Sequence, residues 1–232
     1  GFLFSHGNLF LNIALLIGRV PQKRNSLYKF NPTCYDGYMA TIDNPKYFLF
    51  DTETGGIRKE MSLLTLYGHI LDDNLNILDT IDLKIKPDDG VYHVNAQGLE
   101  INRINIVEHD RIAKPLSEVK TRFKNYICGW SLNQKLTPIG HNVRFDVKFV
   151  KTHLLEDWDR YFDRRHIDTA SVGKFLALSG IVPKLKTYSL SEMAQALMIE
   201  VNEDSRHEAK FDADLTLNVL RNMTQLIKGR NK

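Results

Sequence analysis

Four carboxylates in this 232-residue chain stand where the hydrophobic pattern favours apolar side chains. Asp51 and Glu53 directly follow the β-forming run Tyr47-Phe48-Leu49-Phe50. Side chains two apart on a strand point to one face, so these two acids lie side by side. Asp146 falls on the apolar side of a helical pattern made by Val143, Val147, Val150 and Leu154, with Phe149 beside it. Asp212 opens the stripe Leu215, Val219, Met223, Leu226 of the last helical segment. Asp214, about 200 degrees from Asp212 around that helix, reads as a solvated charge. Burying an unpaired carboxylate costs roughly several kcal/mol even after relaxation. One such acid can be a cap or an arginine partner, but four at the ends of core elements ask for a shared counter-charge. Mg²⁺ and Mn²⁺ take oxygen ligands, and four carboxylates can hold two such ions roughly 3.5–4 Å apart, an arrangement suited to phosphodiester hydrolysis. His207 would lie about 140 degrees from Asp212 on a continuous helix. On a loop, as Asn202-Glu203-Asp204-Ser205 suggests, it can swing over the ions and take a proton from an attacking water.

The elements that must carry these groups follow from the pattern. Turn-forming residues between Asn31 and Pro45 divide the chain into an extension of unknown role, 1–42, and a main domain, 43–232. Within the main domain, 46–50, 63–71 and 76–86 read as strands. A turn-rich 54–59 follows the first, and Asp72-Asp73-Asn74 is the tight turn between the other two. Such short connections make the three strands antiparallel neighbours. Helical spacing then predicts a short helix over 95–102 and a longer one over 116–129. Strand 136–140, helix 142–155, strand 165–168 and helices 169–179, 189–198 and 208–227 complete the chain. A meander followed by strand–helix alternation predicts an α/β fold: a mixed five-stranded sheet, antiparallel then parallel, flanked by helices.

Composition excludes several classes. With 43% hydrophobic and 25% charged residues the chain is neither disordered nor collagen-like. The net charge of +3 resides in residues 1–42, where Arg19, Lys23, Arg24 and Lys29 face only Asp36, and the remainder is neutral. That extension is either a strand-holding arm or a docking segment. Cys34 and Cys128 have no CxxC spacing and read as two reduced thiols of an intracellular protein. The apolar run 9–17, interrupted by Asn12, is too short to span a bilayer, and no membrane partner is expected.

Three segments now carry a specific resemblance: Phe50-Asp51-Thr52-Glu53-Thr54-Gly55, Gly140-His141-Asn142-Val143-Arg144-Phe145-Asp146 and His207-Glu208-Ala209-Lys210-Phe211-Asp212-Ala213. In order and separation they are similar to the three exonuclease motifs of the DEDDh (DnaQ-like) family. That family includes the proofreading subunit of bacterial replicative polymerase, ribonuclease T and oligoribonuclease. The resemblance spans about 46–227. It implies a ribonuclease H-like fold and 3′-to-5′ hydrolysis of single-stranded nucleic acid, DNA favoured, releasing 5′-mononucleotides. It makes Asp51, Glu53, Asp146 and Asp212 ligands of two divalent cations, Mg²⁺ or Mn²⁺, and His207 the general base. Val94-Asn95-Ala96-Gln97-Gly98-Leu99 is similar to the family's loop against the terminal base, with Leu99 as an apolar wedge or else a core leucine, and Gly98 allowing close approach. Thr54 would contact the terminal nucleotide, and Asn142 and Phe145 would line the scissile end.

Two departures stand out. The second strand reads Leu64-Thr65-Leu66-Tyr67-Gly68 where the family has a glutamate, and the wedge loop has Gln97-Gly98-Leu99 for His-Gly-Ile. The first removes a contact to the terminal sugar, so an exoribonuclease is the alternative substrate reading. A catalytically idle nucleic-acid-binding module is the alternative in another class. His141 reads as structural, and Asp168 as the N-cap of the helix that follows it. Lys184 and Lys186, with Tyr188, and the C-terminal Arg221, Lys228, Arg230 and Lys232 read as solvated surface. A replication polymerase as partner and a homodimer both fit the family.

Overall fold

In a computed structural model the described residues are 46–132, 134–201 and 207–229, all within the unit Asp36–Lys232. The basic extension 1–42, its proposed boundary, the expected loop over 202–206, Arg230 and Lys232 lie outside them.

Strands β1 (Tyr47–Thr54), β2 (Leu63–Leu71) and β3 (Ile77–Lys86) form the antiparallel meander. The β2–β3 turn is made by Asp72, whose carboxylate accepts the Asn74 and Asn76 N–H groups, each at 2.8 Å. Parallel strands β5 (Thr137–Gly140) and β6 (Ile167–Asp168) extend the sheet beyond β1. A sixth strand corrects the expected five. The two-residue β4 (Lys114–Pro115) pairs parallel with β3, giving the order β4-β3-β2-β1-β5-β6. Two residues are too few to show an alternation.

The helices are α1 (Ala96–Asn102), α2 (Ile106–Ile112), α3 (Leu116–Trp130), α4 (Arg144–His153), α5 (Trp158–Tyr161), α6 (Thr169–Leu178), α7 (Leu190–Ala196) and α8 (Ala209–Gly229). Neither α2 nor α5 was expected from the pattern. The inward residue of α2 is His109, hydrogen-bonded to the Ile85 carbonyl at 2.9 Å, so the helix shows no apolar stripe. Asn105 caps it by accepting from Val107 and Glu108.

Alternation along β1 sends its side chains into two separate cores. Phe48 and Phe50 pack with Val119, Phe123 and Ile127 of α3 and Phe149 and Val150 of α4. Leu49 faces the other way, with Tyr67, Ile139 and Ala213, Leu217 and Leu220 of α8. A third cluster joins α6, α7 and the outer side of α8. The two faces of β1 therefore lead to α4 and to α8, and this decides where each acid comes from.

Two expectations are corrected here. Asp214 is not simply solvated: it accepts from Lys210 Nζ at 2.7 Å and is bonded to Nε2 of the buried His69 at 2.7 Å. The other ring nitrogen of His69 meets Thr80 Oγ1 at 2.9 Å, so the group ties α8 to β2 and β3. Arg221 donates to the Leu75 carbonyl at 2.6 Å and fastens α8 to the β2–β3 turn. Cys128 packs against the core shared by α3 and α4, and Cys34 lies outside the described residues. Among the described residues no helix is long and apolar enough to cross a membrane.

Gly68 pairs with Phe50 across β1–β2, and a Cβ there would sit 2.8 Å from the Phe48 ring. The Phe48 and Phe50 rings stack at 4.8 Å over this gap. Gly68→Ala should therefore lower the unfolding free energy by about 1–3 kcal/mol through overpacking. Urea unfolding with an unchanged slope and a lower midpoint would show it; a loss below about 0.5 kcal/mol would mean the stack yields easily.

Candidate active site

The carboxyl end of β1 carries the site. Asp51 and Glu53 project from its α8 face, and Asp212 enters from the first turn of α8. One oxygen from each of the three lies within 4.8 Å of the others. Asp212 Oδ2 also accepts the His207 N–H at 3.3 Å. His207 stands just before α8 in a left-handed conformation, φ 66°, so it belongs to the loop and not to the helix, as expected.

Asp146 arrives from the opposite side. It is 3% exposed in the first turn of α4, and its Oδ1 accepts both the Thr52 N–H (3.0 Å) and the Thr52 hydroxyl (2.6 Å). The sequence places four acids in one set. The structure draws three into a tight group and holds the fourth against the back of β1, close enough for its charge to act on Asp51. Thr52 was not anticipated as a site residue. Its signal was available: in Asp-Thr-Glu, alternation turns the middle residue toward α4.

Electrostatics follow from burial and like charge. Burial pushes the Asp51 carboxyl well above the usual carboxylate range, with Asp146, Glu53 and Asp212 adding to the rise. Glu53 is pushed up to about 9, first by burial and then by Asp212, Asp146 and Glu208. Asp146 reaches about 7 through burial, opposed by the Thr52 hydrogen bonds and reinforced by the Asp168 charge. Carboxyls so placed hold protons unless a positive charge joins them. Closely spaced hard oxygen ligands that cannot all ionise alone fit divalent cations.

The loop after Glu53 is braced from two sides. On one, Asn95 donates its N–H to the Gly55 carbonyl (2.8 Å), Asn102 Nδ2 donates to the Thr54 carbonyl (2.9 Å), and Asn95 Oδ1 caps α1 at the Gly98 N–H (2.7 Å). Gly98 packs so closely that a Cβ would lie 2.6 Å from the Gly55 oxygen. On the other, Lys148 of α4 donates to the Ile57 carbonyl (3.1 Å), and His153 Nε2 is bonded to the Lys59 carbonyl (2.8 Å).

The remaining expected residues fall as follows. Thr54 is buried and donates its hydroxyl to the Gly56 carbonyl at 2.8 Å, so it shapes this loop. Leu99 is half-buried and belongs to none of the three core clusters. Asn142 is exposed in a left-handed conformation, φ 58°, and Phe145 lies half-buried, 4.9 Å from the Phe149 ring. His141 is structural: its Nδ1 meets Thr169 Oγ1 at 2.9 Å, and burial lowers its pKa. Asp168 caps α6 by accepting the Ala170 N–H. Lys184 and Lys186 are exposed, and the Tyr188 ring is half-buried with Lys174 Nζ 5.8 Å from its centre.

No family model matches the chain. Over 191 residues it is 24% identical to a protein of Treponema pallidum named DNA polymerase III subunit epsilon, covering 82% of this chain and 81% of that protein. It is also 22% and 26% identical to DNA polymerase III PolC-type from Mycoplasmopsis pulmonis and Lactococcus lactis, covering 86% and 87% of this chain. The matches cover 13% and 11% of those proteins, so the chain spans about an eighth of these relatives' length. Among solved structures, E. coli Exonuclease I with a dT13 oligonucleotide matches at TM-score 0.64 and 17% identity, over 78% of this chain and 42% of that one. A zinc-bound form of the Exonuclease I–ssDNA complex matches at TM-score 0.66 and 18% identity, over 81% and 41%. The likeness shows the fold: the ribonuclease H-like mixed sheet that the motifs implied.

Two outcomes test the site. Acids whose folded pKa exceeds the unfolded value stabilise the fold below the unfolded pKa and lose that contribution as pH rises through the folded pKa. In chelator the melting temperature should therefore fall between about pH 5 and 9, following the rises of Asp146 and Glu53. Mn²⁺ should reverse the fall, more at pH 8 than at pH 5.5. A flat profile with no cation increment would contradict the electrostatics described. Thr52→Val should weaken cation binding about 10-fold or more by freeing Asp146, while Thr52→Ser stays near wild type; calorimetric titration with Mn²⁺ measures both.

Proposed function

We propose that this chain, placed in the DnaQ-like DEDD exonuclease family by its relatives and its fold, hydrolyses phosphodiester bonds from the 3′ end of single-stranded nucleic acid, DNA before RNA, and releases 5′-mononucleotides. The observation that carries the reading is the group of Asp51, Glu53 and Asp212 oxygens at the end of β1, with Asp146 held behind it by Thr52.

Asp51, Glu53, Asp146 and Asp212 would hold two divalent cations, Mg²⁺ or Mn²⁺. When bound, such ions supply Lewis-acid stabilisation of the charge developing on the phosphate and the leaving 3′-oxygen. The protein's own groups do the rest. His207, free of the α8 helix axis, takes the proton from the attacking water. Leu99, outside the cores, meets the terminal base, and Gly98 lets the backbone approach closely, bringing the wedge loop against Gly55. Thr54 shapes the loop that receives the terminal nucleotide, while Asn142 and Phe145 line the scissile end.

DNA is favoured because the relatives carry DNA polymerase III names and the structural neighbours hold single-stranded DNA. The same names support a replicative polymerase as partner. Residues 43–232 would be the catalytic domain, and 1–42 an extension of unknown role.

The test uses 5′-labelled single-stranded DNA and RNA in Mg²⁺, in Mn²⁺ and in chelator. The expected result is a ladder shortening from the 3′ end, faster on DNA, abolished by chelator and by Asp212→Ala. No metal-dependent shortening of either polymer would sink the proposal, and faster RNA shortening would reverse the preference. His207→Ala should cut turnover by about 10²–10⁴-fold while sparing cation affinity; equal loss of both would move His207 from the water to the ions.

A further inference from the structure

The turn that launches α4 is held by a neighbouring strand and not by its own helix. Between Gly140, the last residue of β5, and Arg144, the first of α4, the chain runs through His141, Asn142 and Val143. Asn142 takes the left-handed conformation, which asparagine tolerates better than most non-glycine residues, and here its backbone N–H is tied from outside the turn. No side chain caps α4, whose N-cap residue is the fully buried Val143.

The restraint comes from the end of β6. Asp168, in register with Gly140, accepts the Asn142 N–H on Oδ1 at 2.9 Å. The same oxygen accepts the Ala170 N–H at 3.2 Å, and Oδ2 accepts the Ser171 hydroxyl at 2.9 Å. Thr169 adds a second brace, bonded to His141 Nδ1 at 2.9 Å and donating to the Gly140 carbonyl at 3.3 Å. Gly140 cannot move aside for a side chain, since a Cβ there would lie 2.9 Å from Val143. Beyond the turn, the Asn142 carbonyl accepts the Phe145 N–H at 2.9 Å, and Asp146 is the next residue.

We propose that Asp168 is a positioning residue for the hydrolysis. Through the Asn142 N–H it imposes the turn that sets the rotation and height of the first turn of α4, and so seats Asp146 on Thr52. A cap of α6 would need only the Ala170 bond. The additional bond to Asn142 reaches past the last β5–β6 pair, Gly140 with Asp168, to the turn that precedes α4. The consequence for turnover rests on the exonuclease reading; the consequence for the turn does not.

Substitution separates the two roles. Asp168→Ser keeps an N-cap hydroxyl for α6 and withdraws the oxygen that reaches Asn142. Asp168→Asn keeps Oδ1 and both of its N–H partners. The full chain is measured by amide hydrogen exchange across 140–147, by Mn²⁺ titration calorimetry, and by kcat and KM on a single-stranded DNA oligonucleotide well below each melting temperature. For Asp168→Ser, exchange should rise across 140–147 and Mn²⁺ affinity and kcat should fall about 10-fold or more, with KM within about threefold. Asp168→Asn should stay within about threefold of wild type on each. If Asp168→Ser lowers only the melting temperature, leaving exchange, Mn²⁺ affinity or kcat unchanged, Asp168 is a cap and the proposal fails. If wild type neither binds Mn²⁺ nor shortens the oligonucleotide, the exonuclease reading fails, and the exchange result alone decides whether Asp168 imposes the turn.

Discussion

Mutual repulsion among carboxylates at the end of one strand is the constraint that governs this molecule. Asp51, Glu53 and Asp212 present oxygens within 4.8 Å of one another, and Asp146 adds its charge from behind. Nothing local would keep such groups together. What holds them is the hydrophobic packing of the elements that carry them: Phe48 and Phe50 against α3 and α4 on one side of β1, Leu49 against α8 on the other. Apolar burial on both faces leaves β1 no alternative register, because a slip by one residue would exchange acids and phenylalanines.

The two-sided packing also explains why one acid differs from the rest. A strand offers adjacent residues to opposite faces, so the acid carried by α4 reaches the group beside Thr52 and not from the α8 side. Thr52 closes the gap by offering its N–H and its hydroxyl to the same Asp146 oxygen. One short polar side chain thus communicates between two cores that are otherwise separated by the sheet. The same principle recurs at α8, where Asp214, His69 and Thr80 join helix to meander through a buried polar link.

Much of this was legible from residue order. The bounds of β2 coincide with the expected 63–71, because a mostly apolar stretch ending at the turn-forming Asp72-Asp73-Asn74 leaves little other reading. The Asp-x-Glu pair, the inward Asp146 and the first-turn Asp212 were visible as acids breaking an apolar pattern. The rest was hidden for identifiable reasons. Strand β4 has two residues, and α2 buries a histidine where an aliphatic residue would have announced it. Asp214 finds His69 at a separation of 145 residues, which no local pattern encodes. Thr52 lies between two charged residues, and its partner Asp146 is 94 positions away in the sequence. The three-against-one arrangement of the acids needs the sheet topology, which spacing does not supply.

The doubly braced loop after Glu53 bears on how successive cycles would proceed. It is pinned to α1 through Gly55 and Gly98 and to α4 through Ile57 and Lys59. A loop held this way is in place before substrate comes. On the exonuclease reading, the polymer advances by a nucleotide past this fixed loop between one bond and the next. The tempo of repeated cleavage is then set by how readily the strand unstacks and slides, a property of the nucleic acid's own stiffness more than of the enzyme's.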